Sequence, residues 1–139
     1  MSQAVSYYDM FDKDKQTEVV RGLSRLHLTV AAAESCTGGL IAARLTDVPG
    51  ASAVFHCGVV SYSNDIKMAV LGVKPETLRD FSAVSAETAA EMAAGVRRIA
   101  GADIAVAVTG NAGPSLPRGS RSARSLSRSS AAGTRRRYG

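Results

Sequence analysis

Residues 29–47, TVAAAESCTGGLIAARLTD, decide the fold class of this chain. The apolar run from Thr29 to Ala33 predicts a buried strand, and the polar cluster after it, with the pair Gly38-Gly39, predicts a tight turn. Residues 40–47 then resume a helical composition and stop before Pro49-Gly50, which cannot continue a helix. The stretch therefore predicts a strand, a turn and a helix in direct succession.

The same alternation extends in both directions from this stretch. Apolar spacing and capping residues predict a helix over 16–28, a strand over 53–62, short helices from 64 and 75, a long helix between Ser85 and Gly101, and a strand over 103–108. Strands that alternate with helices favour a mainly parallel sheet. We expect an α/β fold with three α/β/α layers and helices on both faces of the sheet.

The length of 139 residues suits one domain, and 45% apolar residues with 5% aromatics is typical of a core of small aliphatic side chains. We expect a lead-in over 1–15 and a domain over 16–114. Residues 115–139 are rich in Ser, Arg, Gly and Ala, with only two larger aliphatic residues. Such a composition buries little apolar area, so we expect this tail to be disordered.

The net charge of +5 arises in that tail, because its seven arginines have no acidic counterpart, whereas residues 1–114 carry ten basic and twelve acidic residues. The tail alone supports only weak, non-specific contact with nucleic acid.

Cys36 and Cys57 lack the spacing of a disulfide framework or a zinc site, and no apolar run is long enough to span a bilayer. We expect a cytoplasmic protein that has no membrane partner.

The ends of the three predicted strands carry polar residues, at the edge where open α/β sheets bind ligands. They are residues 34–39 (ESCTGG), residues 61–64 (SYSN) with Lys67 close behind, and residues 109–114 (TGNAGP). Because parallel strands end at one edge of the sheet, one rim could gather all three segments.

Ser35 lies between a strand and a helix, where backbone N–H groups of residues 36–39 could face a developing negative charge. A serine hydroxyl needs a base, and no histidine lies near a strand end. Lys67 is the lysine closest to these loops, so a lysine of lowered pKa is the candidate base. Tyr62 adds a second group that can move a proton or donate a hydrogen bond.

Each of these residues also has a purely structural interpretation. The turn after Ser35 suits a helix cap or a phosphate cradle, Lys67 a solvated helix lysine, and Tyr62 a strand-end core residue. Cys36 suits a small packing residue, although a thiol at a helix N-terminus can be activated. Glu34 suits a capping or pairing residue. His27 and His56 are interpreted as structural.

The three segments, in this order and spacing, together with residues 84–89 (VSAETA), resemble the CinA C-terminal family over about residues 16–114. The resemblance implies hydrolysis of the carboxamide of nicotinamide mononucleotide to nicotinic acid mononucleotide and ammonia, in pyridine-nucleotide recycling. It implies a small-molecule nucleotide substrate, a homo-oligomer, and neither a metal nor an organic cofactor.

The resemblance also assigns roles by motif. Ser35 attacks the amide carbon, Lys67 is the base, and Tyr62 assists proton transfer or positioning. The expected substrate contacts are Glu34, Cys36, Thr37, Gly38, Gly39, Thr109 and Gly110.

After Pro114 the chain departs from the family pattern, in which a glycine-rich loop, a further apolar strand and a further helix are expected. Two functions remain open on this basis. One is an active amidohydrolase, and the other is an inactive remnant that still binds the nucleotide.

Overall fold

A computed structural model describes residues 13–111 and 126–131. The elements are α1 (Lys13–Leu26), β1 (Val30–Glu34), α2 (Leu40–Thr46), a 3-10 turn (Ala51–Ala53), β2 (Phe55–Val60), α3 (Asn64–Leu71), α4 (Pro75–Phe81), α5 (Ala86–Ala100), β3 (Ile104–Thr109) and β4 (Leu126–Ala131). Within these two ranges, no helix has the length and apolar character needed to cross a membrane.

The strands form one sheet in the order β2-β1-β3-β4, in which β1 is parallel to both β2 and β3. The central strand β1 is buried along its whole length, which explains why residues 30–33 are all apolar. The predicted α/β class and the mainly parallel sheet are therefore confirmed.

Alternate residues of β1 enter two separate cores, one on each face of the sheet. Ala31 and Ala33 pack with the apolar side of α5, including Met92, and with Leu71 of α3. Val30 faces the other way, into a core that α1 and α2 build. This alternation of successive side chains determines which strand-end residues face α3 and which face α2.

The helix boundaries follow the predicted capping residues. The hydroxyl of Ser85 accepts a hydrogen bond from the N–H of Thr88 at 3.1 Å, at the start of α5. Gly101 ends the same helix with φ of 61°, a left-handed conformation that favours glycine. The prediction of this helix is confirmed.

Helices α3 and α5 approach each other closely at Gly95. A Cβ atom at this position would lie 2.0 Å from the carbonyl oxygen of Leu71, so only glycine allows this separation. Because α3 carries Lys67, this contact helps to set the position of that lysine.

Two predicted elements differ slightly in extent. The helix over 16–28 ends at Leu26, because His27 has φ of 53°. The strand over 53–62 is shorter, since residues 51–53 form the 3-10 turn and β2 runs only from Phe55 to Val60.

The expectation that residues 115–139 are disordered is wrong for Leu126–Ala131. These residues form β4, which pairs antiparallel with β3 along its whole length. Strand pairing satisfies backbone N–H and C=O groups and does not require apolar side chains, so composition missed it. The rest of the predicted tail, most of the predicted lead-in and residues 112–114 of the third segment lie outside the described residues.

Candidate active site

The ends of β1, β2 and β3 meet at one rim. The N–H of Ser35 donates to the carbonyl of Val108 at 3.0 Å, and the N–H of Ser61 donates to the carbonyl of Glu34 at 2.8 Å. The sheet hydrogen bonding thus continues one residue beyond β1, and it brings the three predicted segments side by side.

Lys67 reaches this rim from α3 and contacts Ser35. Its Nζ lies 3.1 Å from Oγ of Ser35, 2.8 Å from the carbonyl oxygen of Ser61 and 3.2 Å from that of Tyr62. Only 1% of Lys67 and 6% of Ser35 are exposed, so the contact is shielded from water. Lys67 is therefore not a solvated helix lysine.

Local capping holds α3 in the orientation that this contact requires. The hydroxyl of Ser63 accepts a hydrogen bond from the N–H of Ile66, and Gly72 ends the helix with φ of 70°. Lys67 lies in the first turn of α3, so its side chain extends back over the helix start toward the rim.

Burial lowers the pKa of Lys67 below its ordinary value of 10.5, since removal from water disfavours the ammonium form; the electrostatic interaction with Cys36 acts in the opposite direction. Among the described residues, Lys67 forms no ion pair with a carboxylate. The surroundings of Lys67 therefore favour its neutral form.

Glu34 faces the opposite side of the sheet from Ser35. Its buried carboxylate accepts hydrogen bonds from the hydroxyl of Thr37 and from the N–H groups of Ile41 and Ala42, at 2.7, 2.9 and 3.0 Å. It thus caps α2, as the structural interpretation of this residue predicted. Because a carboxylate already occupies the positive end of α2, the segment is not a phosphate cradle at that helix.

The turn after Ser35 depends on two glycines. Gly38 and Gly39 have φ of 60° and 107°, so a side chain at either position would be strained. The N–H of Gly38 donates to the carbonyl of Ser35, whereas those of Cys36 and Thr37 have no acceptor in the described part of the chain. The two latter groups are candidate donors to an oxyanion.

Thr109 and Gly110 lie at the end of β3, beside this turn. The buried hydroxyl of Thr109 donates to the carbonyl of Ala83 at 2.7 Å, so it ties β3 to the segment before α5. This hydroxyl already has an acceptor, and substrate contact at this position would fall to the backbone and to the half-buried Gly110.

Tyr62 contributes its backbone rather than its phenol. Its carbonyl accepts from Lys67, but 69% of the residue is exposed, and among the described residues its hydroxyl has no hydrogen-bond partner. The structural interpretation of Tyr62 as a core residue is wrong, because most of its surface is exposed. His27 and His56 are also exposed and lie outside this site.

Ser61 is the site residue that the sequence did not single out. Its carbonyl holds Lys67, and its fully buried hydroxyl makes no hydrogen bond within ranges 13–111 and 126–131. The signal was present, since Ser61 lies at the end of a predicted strand. Every residue has a backbone carbonyl, however, so the sequence does not indicate which one binds the lysine.

Known proteins resemble this chain in both sequence and structure. The family model of the CinA C-terminal domain matches residues 12–123. A putative competence-damage inducible protein of Acetivibrio thermocellus is 59% identical over 107 residues, which cover 77% of this chain and 26% of the relative. A CinA-like protein of Chlorobium limicola is 56% identical over 108 residues, covering 78% of this chain and 25% of that relative.

Solved structures agree with the sequence relatives. The competence/damage inducible protein CihA from Agrobacterium tumefaciens is 40% identical with a TM-score of 0.74, covering 84% of this chain and 78% of its own. A CinA superfamily protein from Escherichia coli is 26% identical with a TM-score of 0.77, and the match covers 96% of this chain and 84% of that protein. The chain spans about a quarter of the length of the curated relatives it matches. By its sequence, its fold and its family-model match, this chain belongs to the CinA C-terminal domain family.

Proposed function

We propose that this domain is a nicotinamide-nucleotide amidohydrolase that converts nicotinamide mononucleotide to nicotinic acid mononucleotide and ammonia. The observation that carries the proposal is the buried contact of 3.1 Å between Nζ of Lys67 and Oγ of Ser35. A serine hydroxyl that contacts a lysine of lowered pKa is an arrangement suited to nucleophilic attack on an amide.

The hydrogen-bond partners of Lys67 accommodate both an ammonium, which can donate to all three oxygens, and the neutral amine that the reaction needs. Such an amine has two N–H donors and one lone pair, and the carbonyls of Ser61 and Tyr62 offer two acceptors. With both donors engaged, the lone pair is left for the hydroxyl proton of Ser35. The same two carbonyls then keep the amine oriented throughout the reaction.

The reaction balances with these groups alone. Ser35 Oγ forms a bond to the carboxamide carbon while its proton passes to Nζ of Lys67. The C–N bond breaks, and the ammonium of Lys67 returns that proton to the leaving nitrogen, which departs as ammonia. Water then attacks the resulting ester and gives one proton to Nζ of Lys67. Lys67 passes this proton to Oγ of Ser35 as the ester bond breaks, and the carboxylic acid is released with the remaining O–H of the water.

The N–H groups of Cys36 and Thr37 support the charged intermediates in this scheme. They follow the nucleophile directly and have no acceptor in the described part of the chain. Preorganised donors of this kind stabilise an oxyanion without reorganisation during the reaction. The choice of nicotinamide mononucleotide rests on the family resemblance of the motifs, and its phosphate has to bind away from the α2 terminus that Glu34 occupies.

The direct test is ammonia release from nicotinamide mononucleotide, with chromatography to identify nicotinic acid mononucleotide. Ser35→Ala is expected to abolish release while the thermal midpoint stays near that of the parent. Ser52→Ala, at an exposed serine of the 3-10 turn, is the matched control and is expected to retain turnover. Near-normal turnover by Ser35→Ala would exclude the serine mechanism.

The second candidate is an inactive remnant that binds the nucleotide. It is favoured by the Ser- and Arg-rich composition of residues 115–139, most of which lie beyond the residues 12–123 that the family model matches. Calorimetric titration with nicotinamide mononucleotide separates the two candidates, because a remnant binds the nucleotide and releases no ammonia.

We also propose that the protein is a cytoplasmic homo-oligomer. Multi-angle light scattering on the purified chain tests the assembly, since a monomeric mass across the working concentration range would contradict it. Fractionation of the source cells tests the location.

A further inference from the structure

Glu34 connects the end of β1 to the first turn of α2, across the turn that carries Ser35. Oε1 accepts from the hydroxyl of Thr37 and the N–H of Ile41, and Oε2 accepts from the N–H of Ala42. The residue is 1% exposed, so these three bonds do not compete with water. The residue thus closes the turn over residues 35–39 from the side away from Lys67.

Among the residues that the structure describes, no other side chain caps the start of this helix. Gly39 is its N-cap residue and has no side chain to accept a hydrogen bond. The N–H groups of Ile41 and Ala42 therefore depend on Glu34, which is six residues before Leu40, and not on a neighbouring Ser, Thr or Asp. A cap supplied from the preceding strand fixes the strand end and the helix start to one another.

We infer that Glu34 is a positioning residue for Ser35, and this inference rests on the proposed function. Successive side chains of β1 point to opposite faces, so the carboxylate acts from the α2 face while the Ser35 hydroxyl meets Lys67 on the α5 face. Glu34 contacts none of the reacting atoms. By holding Thr37 and the start of α2, it keeps Oγ of Ser35 opposite Nζ of Lys67 and fixes the turn that carries the N–H groups of Cys36 and Thr37.

A cap that only stabilises its helix would behave differently, and the chain contains such a cap. Glu91 accepts from the N–H of Lys74 and from the hydroxyl of Thr77, both at 2.8 Å, at the start of α4. The chemistry matches that of Glu34, because one carboxylate accepts from a threonine hydroxyl and from backbone N–H at a helix start. Glu91→Ala is therefore the matched control for Glu34→Ala.

The first measurement does not depend on turnover. Cys36 lies in the turn and Cys57 lies in β2, and both thiols are half-buried. Mass spectrometry of iodoacetamide labelling gives the ratio of Cys36 to Cys57 modification within each folded protein. We expect Glu34→Ala to raise this ratio about 10-fold, as the turn opens more often. Glu91→Ala should leave it at the parent value.

The second measurement compares the effect of each substitution on kcat with its effect on KM. Glu34→Ala should lower kcat for ammonia release by about 100-fold with little change in KM, since misplacing a nucleophile by about 1 Å has that effect. Glu91→Ala should lower the thermal midpoint with kcat retained. Glu34→Gln keeps one acceptor oxygen but turns an NH2 group toward an N–H, so it should fall between parent and Glu34→Ala. It also replaces Glu34→Ala if the latter does not fold.

The outcomes separate the two proposals. An unchanged labelling ratio in both folded Glu34 variants overturns the positioning role, whatever the kinetics. Equal loss of kcat in Glu34→Ala and Glu91→Ala overturns it as well, because a general loss of stability then explains the effect. If the parent releases no ammonia, the proposed function fails, and the labelling ratio still decides whether Glu34 holds the turn.

Discussion

Lys67 Nζ lies 3.1 Å from Ser35 Oγ, although 32 residues separate the two in the chain. The contact joins the start of α3 to the end of the central strand, and the carbonyls of Ser61 and Tyr62 hold the lysine in place.

Lys67→Arg should be nearly as damaging as Lys67→Met in ammonia release. A guanidinium remains protonated at every working pH and cannot accept the serine proton, and general base catalysis contributes about 10²–10⁴-fold. A lysine that only held a phosphate would tolerate arginine. If Lys67→Arg keeps most of the parent kcat/KM, the base must be another group.

The pH profile of kcat/KM should rise with pH and then level at a pH below 10.5. Burial lowers the pKa of Lys67, and only its neutral form accepts the proton of Ser35. The rising limb reports the lowered pKa in the free enzyme. A profile without the rising limb, or one whose midpoint stays at 10.5, contradicts the assignment of Lys67.

Stability should follow the same titration. Between the lowered pKa of Lys67 and 10.5, the unfolded chain binds a proton that the folded chain does not, so the free energy of unfolding increases with pH in that window. Denaturant titrations of the parent and Lys67→Met at several pH values isolate this contribution. The difference in unfolding free energy, parent minus variant, should grow as pH rises toward 10.5, and a constant difference would contradict a lowered pKa.

Ser61→Ala should maintain or raise the thermal midpoint. The Ser61 hydroxyl is fully buried and has no hydrogen-bond partner in ranges 13–111 and 126–131, and such a group costs about 1–3 kcal/mol. The carbonyl that holds Lys67 remains in the variant. Differential scanning calorimetry measures the effect, and a fall of several degrees would mean that the hydroxyl has a partner in the folded protein.

Gly95→Ala should destabilise the domain by about 3 kcal/mol or more, because the added Cβ would lie 2.0 Å from a backbone oxygen of Leu71 and α3 would have to move. Gly22→Ala is the matched control in α1, where nothing lies within 4 Å of the new Cβ. It should stabilise by up to about 1 kcal/mol through helix propensity. Equal effects of the two substitutions in denaturant titrations would contradict the close approach of α3 and α5.

Local signals were sufficient to predict most of the elements. The apolar run before Glu34, the glycines after Ser35, the cap at Ser85 and the stop at Gly101 are each read from neighbouring residues, and the structure places the elements within a few residues of those marks. Because successive strands alternate with helices, the parallel arrangement of β1, β2 and β3 also followed from the sequence. The rim could be predicted for the same reason, since parallel strands end at one edge.

The sequence by itself determined the α/β class, the central strand and the chemical groups at the rim, because apolar runs, caps and glycine turns act over a few residues. Only the tertiary structure decided that Lys67 contacts Ser35, that Glu34 caps the start of α2 and that β4 pairs with β3. These relationships depend on backbone carbonyls, on burial and on which face of a strand each side chain occupies. Such properties arise when distant segments pack together, and no single segment records them.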